Sequence, residues 1–242
     1  MSDRPDKRIT VTRNGPYRVQ GGVPLSRQII EPNERGESWD WREGERFEVD
    51  DTYKLCRCGG SANKPFCDGT HERNGFDGTE TADRSPYWDQ AEVIDGPELV
   101  LTDVQPLCAF ARFCDAAGQI WNLAERPGAR ARDLAEREAG HCPSGRLVTW
   151  KRIADGQIEP VGEPVFEPSI GLVEDPQIGV SGPLWVRGGI PVESADGTTY
   201  EIRNRVTLCR CGASQNKPFC DGSHASIGFT DERGADSARR RR

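Results

Sequence analysis

One block of sixteen residues, Cys-Arg-Cys-Gly-x-Ser-x-Asn-Lys-Pro-Phe-Cys-Asp-Gly-Thr/Ser-His, occurs twice, from Cys56 to His71 and from Cys209 to His224. Three thiolates and one imidazole at fixed spacing make a soft donor set suited to a metal. Zinc and iron-sulfur clusters both accept three Cys and one His. Spacing separates them. Structural zinc usually takes paired thiolates two to four residues apart, whereas Cys56 and Cys58, like Cys209 and Cys211, are separated by one residue. A C-x-C pair presents two sulfurs to one iron and leaves Cys67 with His71, or Cys220 with His224, for a second.

The pattern C-x-C-x2-S-x3-P-x-C-D-G-T/S-H resembles the CDGSH iron-sulfur domain of the mitoNEET family, and both copies match it at every defined position. That resemblance implies a [2Fe-2S] cluster on Cys56, Cys58, Cys67 and His71 and another on Cys209, Cys211, Cys220 and His224. The alternative is a pair of closed zinc knuckles. Lys64 and Lys217, inside the blocks, are candidates to hydrogen-bond a sulfide or a ligand, or else exposed amines on a loop. Asp68 and Asp221 are natural N-caps for short helices whose free amides would face an anionic cluster, or plain caps without redox influence.

The repeat is longer than the cysteine block. Asn14-Gly-Pro-Tyr-Arg-Val-Gln-Gly-Gly-Val-Pro-Leu25 is echoed by Ser181-Gly-Pro-Leu-Trp-Val-Arg-Gly-Gly-Ile-Pro-Val192, so a whole module is duplicated. Short strands are predicted over Ile9 to Thr12, Tyr17 to Val19, Leu184 to Val186 and Tyr200 to Leu208, with turns or bulges at Gly21-Gly22 and Gly188-Gly189. Pro65 and Pro218 fix the chain ahead of the third ligand.

The middle third differs. It carries Leu107-Cys-Ala-Phe-Ala-Arg-Phe-Cys114 and His141-Cys-Pro-Ser-Gly-Arg-Leu147. Single-cluster ferredoxins use C-x2-C-x2-C with a distant C-P, and loss of the central cysteine gives C-x5-C with Ala111 at the vacated place. The segment resembles [3Fe-4S] ferredoxins and the divergent mono-cluster ferredoxin domain that accompanies CDGSH modules. Phe110 stands where that second group tends to carry His, which leaves His141 or Asp115 as substitutes for a fourth ligand. The resemblance implies a [3Fe-4S] cluster on Cys108, Cys114 and Cys142 in preference to [4Fe-4S]; three buried structural cysteines are the alternative. Leu99 to Thr102 reads as a strand, Ala129 to Ala139 as a helix ended by Gly140, and Leu147 to Lys151 as a strand, the order of a ferredoxin-like fold.

The expected fold class is α+β: two small β-rich CDGSH modules paired about a pseudo-twofold, with a ferredoxin-like domain between them in sequence. The expected bounds are 1–83 for the first module, 84–175 for the single-cluster domain, 176–233 for the second module and 234–242 for a basic disordered tail, with Pro164 to Asp175 as a connector. The chain has 29% charged and 35% hydrophobic residues and no apolar run long enough for a span or signal peptide, so a cytoplasmic location is expected. Nine cysteines fit metal ligation in a reducing compartment better than a disulfide framework. A net charge of -7 argues against nucleic-acid binding. All three histidines lie in or beside cysteine clusters, and no phosphate cradle, flavin fingerprint or Ser-His-Asp set is present. Trp88, Trp121, Trp150 and Trp185 are candidates to shield clusters, or ordinary core residues.

The expectation is a monomeric, non-enzymatic electron carrier that exchanges single electrons with a reductase and an acceptor. An iron-sulfur cluster donor or redox/pH sensor, and a structural zinc scaffold, are the alternatives.

Overall fold

Ile9 and Val11, and Tyr17 and Val19, alternate with polar residues and are all but completely buried, the period-two pattern of strands with one face on a core. They lie in β1 (Arg8–Val11) and β2 (Tyr17–Gln20), followed by β3 (Leu25–Pro32), β4 (Ser38–Phe47) and β5 (Thr52–Leu55), which leads into the first cysteine block. The middle of the chain forms α1 (Tyr87–Gln90), β6 (Glu92–Asp95), β7 (Val100–Asp103), α2 (Ile120–Ala124), α3 (Ala129–His141), β8 (Leu147–Arg152) and β9 (Ile158–Val161). The last part supplies β10 (Ser169–Asp175), β11 (Val180–Arg187), β12 (Val192–Glu193), β13 (Arg205–Leu208) and α4 (Ser223–Ser226). This computed structural model describes residues 7–231; the basic run expected at 234–242 lies outside the described residues.

The two modules exchange strands. One sheet has the order β12-β1-β2-β5, the other β13-β11-β10-β3-β4. Ile9 of β1 pairs in parallel with Val192 of β12, and Ile170 of β10 pairs in parallel with Leu25 of β3. Leu25 and Val192 occupy equivalent places in the sequence repeat, so each module gives the same strand to the other's sheet. A common core results, in which Tyr17, Val19, Leu25 and Leu55 meet Ile170, Leu184, Val192 and Leu208. Neither sheet could bury its apolar face without its partner's strand, and this makes the duplicated modules a single folding unit.

The expected pseudo-twofold pairing is therefore present, in strand-exchanged form. Two expectations need correction. Pro164 to Asp175 was expected as a connector, but its second half is β10, a central strand buried along most of its length. Its Glu174 and Asp175 look like loop residues in the sequence; they are buried because arginines meet them there. The strand expected over Tyr200 to Leu208 is shorter and starts at Arg205. The paired glycines behave as expected: Gly188 has φ 75°, and a Cβ there would fall 2.6 Å from the Pro168 nitrogen.

The middle region forms an antiparallel meander, β6-β7-β8-β9, with α2 and α3 inserted between β7 and β8. Its own core joins Leu99, Leu101, Ile120, Leu123, Ala135 and Leu147. The expected order of strand, cysteine loop, helix, cysteine and strand is present. Helix α3 runs one residue past Gly140 to His141 and delivers Cys142 at its C-cap.

Candidate metal centres

Each CDGSH-like block hangs from the end of a core strand, the first from β5 and the second from β13. Cys56 N donates to Pro65 O (2.8 Å) and Cys209 N to Pro218 O (2.9 Å), and both prolines follow cis peptide bonds. Inside each loop the serine closes a turn: Ser61 Oγ donates to Phe66 O and Ser214 Oγ to Phe219 O, each at 2.7 Å. The two loops share these bonds.

Four donors come together in each block, as two pairs. Cys56 Sγ lies 3.8 Å from Cys58 Sγ, and Cys67 Sγ lies 3.4 Å from His71 Nδ1. The second block repeats these values at 3.7 Å for Cys209 with Cys211 and 3.4 Å for Cys220 with His224 Nδ1. A tetrahedral metal with bonds of about 2.3 Å to sulfur and 2.0 Å to nitrogen needs its ligand atoms about 3.5–3.8 Å apart. Each pair is therefore spaced for one metal. Among the described residues no three His, Cys, Asp or Glu side chains gather as ligands of a single ion. The donors fit a two-metal centre, with Nδ1 as the binding nitrogen.

Backbone amides support the sulfurs. Gly60 N points at Cys58 Sγ (3.4 Å), Gly69 N at Cys67 Sγ (3.5 Å) and Gly222 N at Cys220 Sγ (3.4 Å), the kind of donor that stabilises anionic sulfur. Burial, with Arg210 adding to it, pushes the His224 imidazole down to about 4, so it is neutral and able to ligate at neutral pH. Within the Cys209–Cys211 pair the hydrogen bond from Cys211 pulls Cys209 down to about 6, and burial raises Cys56 to about 11.

Four further candidates, Lys64, Lys217, Asp68 and Asp221, bond within their own loops. Lys64 Nζ donates to Ser61 O (2.8 Å) and Lys217 Nζ to Ser214 O (2.7 Å); each ammonium ties its own loop. Asp68 accepts from Ala62 N and Thr70 N, and Asp221 from Gln215 N and Ser223 N. Both carboxylates staple two parts of the loop, and the cap position itself falls to left-handed Gly69 and Gly222.

Cys108, Cys114 and Cys142 line one small, partly open pocket of about 20 Å³, together with Phe110, Arg112, Pro143 and Arg146. Phe110 and Arg112 have φ 52° and 62°, a left-handed conformation that costs non-glycine residues about 1–2 kcal/mol each. Such strain persists where a loop must wrap around something. Three buried structural cysteines would not require it. The two substitutes for a fourth ligand are elsewhere: His141 Nδ1 meets Arg137 O at 2.8 Å, its ring lies beside Phe113, and Asp115 is exposed. Neither lines the pocket. Burial works against the Arg146 charge, but a bidentate pair with Asp103 and the nearby Cys108 raise its pKa nonetheless.

The family described as iron-binding zinc finger CDGSH type matches residues 14–72 and 181–225, and the family described as divergent 4Fe-4S mono-cluster matches residues 94–152. This is an iron-sulfur protein with two CDGSH modules flanking a mono-cluster domain. No curated protein and no solved structure matches the chain. Among the described residues no helix is long and apolar enough to cross a membrane.

Sequence reading missed the arginines and one tyrosine that join these centres. Arg57 and Arg210, each between two ligands of its C-x-C pair, are buried to 1% and 3% exposure; their repetition at the same place in both blocks was the available signal. Tyr17 Oη lies 2.8 Å from Cys209 O and 3.0 Å from Pro218 O, so β2 of the first module braces the ligand loop of the second. Arg205 carries no such signal. The tryptophans mostly serve packing: Trp88 stacks on Trp150, and Trp121 Nε1 donates to Asp103. Trp185 packs on Trp41, which packs on Phe113 beside Cys114.

Proposed function

We propose that this protein is a one-electron carrier holding two [2Fe-2S] clusters, one in each CDGSH module, and one [3Fe-4S] cluster on Cys108, Cys114 and Cys142. The observation that carries the reading is the grouping of the donors in each block as two metal-spaced pairs. One zinc would need all four around a single point. Three thiols with no fourth ligand in their pocket support [3Fe-4S] over [4Fe-4S]. The clusters supply one-electron redox chemistry; the chain's residues hold them, supply hydrogen bonds to sulfur and keep them close together. No residue is assigned a catalytic role, the partners are redox proteins that give and take single electrons, and the working location is cytoplasmic. Because strand exchange is completed within one chain, the protein works as a monomer.

Anaerobic EPR tests this. The oxidised protein should show a [3Fe-4S] signal, and dithionite should abolish it and raise two [2Fe-2S] signals. A colourless protein rich in zinc would refute the reading. Cluster donation is a second reading, favoured by the 15% exposure of the His71 side chain. Incubation with an apo-ferredoxin separates the two, since only a donor loses its clusters to it.

A further inference from the structure

The two CDGSH centres have identical ligands and unlike surroundings. Arg57 is buried without a carboxylate partner among the described residues. Its guanidinium donates to the carbonyls of Thr12 and Gly78, lies 5.6 Å from the Tyr17 ring and 5.5 Å from that of Phe76, and leaves Nε without a partner. The exposed Asp77 senses it only weakly. Arg210, at the same place in the second block, meets Glu174 at 2.8 Å and Asp231 at 3.3 Å. Arg27 shares both carboxylates and also meets the exposed Glu45 at 3.1 Å, so the two buried arginines are fully compensated by carboxylates. The first block therefore carries a buried arginine with no carboxylate partner among the described residues, whereas the arginine of the second is paired with buried carboxylates.

Covering differs in the same sense. A Cβ on Gly222 would lie 3.2 Å from Phe110 Cβ and 3.3 Å from Cys108 O, whereas a Cβ on the equivalent Gly69 would have nothing within 4 Å. Asn216 Nδ2 also donates to Pro106 O at 2.9 Å. The mono-cluster loop thus lies on the second block, where His224 is buried, while His71 of the first is only partly buried. That loop brings its own thiolates, and hence a second anionic centre, up to the second block. Glu72, 3.9 Å from His71 Nε2, is the carboxylate nearest the first centre's imidazole, but at 77% exposure it is well screened.

Each difference acts in one direction. Reduction adds a negative charge, which is favoured by an uncompensated cation and by water, and disfavoured by burial and by a neighbouring anion. The two centres are also in contact: a Cβ on Gly59 would lie 2.4 Å from Cys211 O, and one on Gly212 would lie 2.7 Å from Cys58 O. We infer that the pair is polarised. The first CDGSH centre has the higher reduction potential and is the outward terminal of the carrier, presenting the electron at the open Gly69–His71 face. One electron leaves the reduced centre of the second block, which returns to its oxidised form, and enters the oxidised centre of the first. No bond or proton changes in that step.

This inference rests on the carrier reading above, and an EPR-monitored redox titration of the full chain with dithionite tests the two separately. Two [2Fe-2S] signals should rise in sequence, with at least a tenfold preference for the first, equivalent to about 59 mV for a one-electron couple. His71→Cys should change the line shape of the early signal and His224→Cys that of the late one. Arg57→Met should bring the two midpoints together by lowering the early one. Asp231→Asn, which unbalances the network beside the second centre, should bring them together by raising the late one, and it covers the case in which Arg57→Met fails to fold. Signals rising together within tenfold, or an early signal altered by His224→Cys, would overturn the inference and leave the carrier reading intact. Absence of any [2Fe-2S] signal would remove both.

Discussion

Arg205 is the residue whose loss should separate the mono-cluster domain from the CDGSH unit. It leaves β13 at 2% exposure and directs Nη1 at three carbonyls, Ala139 O (2.7 Å), Gly140 O (2.8 Å) and Cys142 O (2.7 Å). The first two belong to the last turn of α3, where carbonyls have no intrahelical partner, and the third belongs to Cys142, a proposed ligand. Nη2 and Nε hold both carboxylate oxygens of Glu163, at 2.7 and 3.0 Å. Arg205→Met keeps most of the volume and removes every one of these bonds. Hydrogen bonds to a charged donor contribute about 1.5–3 kcal/mol each but do not add, and breaking a buried ion pair costs about 3–5 kcal/mol. Glu163 keeps 27% of its side chain exposed and can rehydrate, so about 3 kcal/mol is the expected loss, nearer the lower bound. Arg205→Lys should recover less than half of it, because an ammonium cannot fork between a carboxylate and a row of carbonyls. Urea titration followed by the oxidised EPR signal of the middle centre and by the visible absorbance of the [2Fe-2S] centres is the assay. The middle centre should be lost first, well before the other two. Arg8→Met, which breaks a 3.5 Å pair with an arginine side chain 45% exposed, is the control and should cost under about 1 kcal/mol. If Arg205→Met behaved like that control, the bridging role argued for Arg205 would be wrong.

Gly59→Ala should disrupt both CDGSH centres at once, since its Cβ would enter the backbone of Cys211 at 2.4 Å, whereas Gly69→Ala meets nothing and should cost only the left-handed penalty of about 1–2 kcal/mol; cluster absorbance after purification compares them. Glu138 is 1% exposed, accepts from Ala117 N with one oxygen and has no partner for the other among the described residues; burial pushes its carboxyl up to about 7. The folded protein therefore holds a proton that the unfolded chain has released, so stability should fall as pH rises from about 4.5 through 7, and Glu138→Gln should recover about 1–2 kcal/mol at pH 8 by urea titration. Iron analysis should approach about seven atoms per chain with almost no zinc, against about eight if the middle centre keeps a fourth iron. Solution mass should be that of one chain, because an obligate dimer would mean that the exchanged strands pair between chains.

The pairing of the Cys and His donors was legible because metal chemistry fixes their spacing, and β1, β2, α3 and β8 because their residues follow simple periods and propensities. The longest hairpin, β3 with β4, was not. Its Arg27 and Gln28 are buried at 4% and 3% exposure, and β4, Ser-Trp-Asp-Trp-Arg-Glu-Gly-Glu-Arg-Phe, is largely exposed along its length. Charged residues read as surface unless the partners that compensate them are known, and the buried partners of Arg27, Glu174 of β10 and Asp231, lie more than a hundred residues away, with only the exposed Glu45 close in sequence. Strand exchange was hidden for a similar reason. The repeat shows that two modules exist, but the choice between self-pairing and exchange is made by long-range contacts between residues that look alike in either arrangement. The roles of Lys64 and Lys217 stayed open in the sequence because a lysine beside a cluster and a lysine bonded to its own loop carbonyl look the same there.

Duplication alone would have given two equal centres, and the residues that break the equality can be named. Where the second module has Arg205, four positions before Cys209, the first has exposed Thr52, four before Cys56. Thr52 has neither the reach nor the charge to hold the end of α3. The mono-cluster domain can therefore be gripped from one side only, and that grip lays the Cys108–Phe110 loop over Gly222 and not over Gly69. The second block, now covered and next to another anionic centre, also has its arginine neutralised by Glu174 and Asp231. In the first block Arg57 stays uncompensated and His71 stays open. A few substitutions between two copies of one module are thus enough to turn a symmetric pair of clusters into a pair with an inner and an outer end.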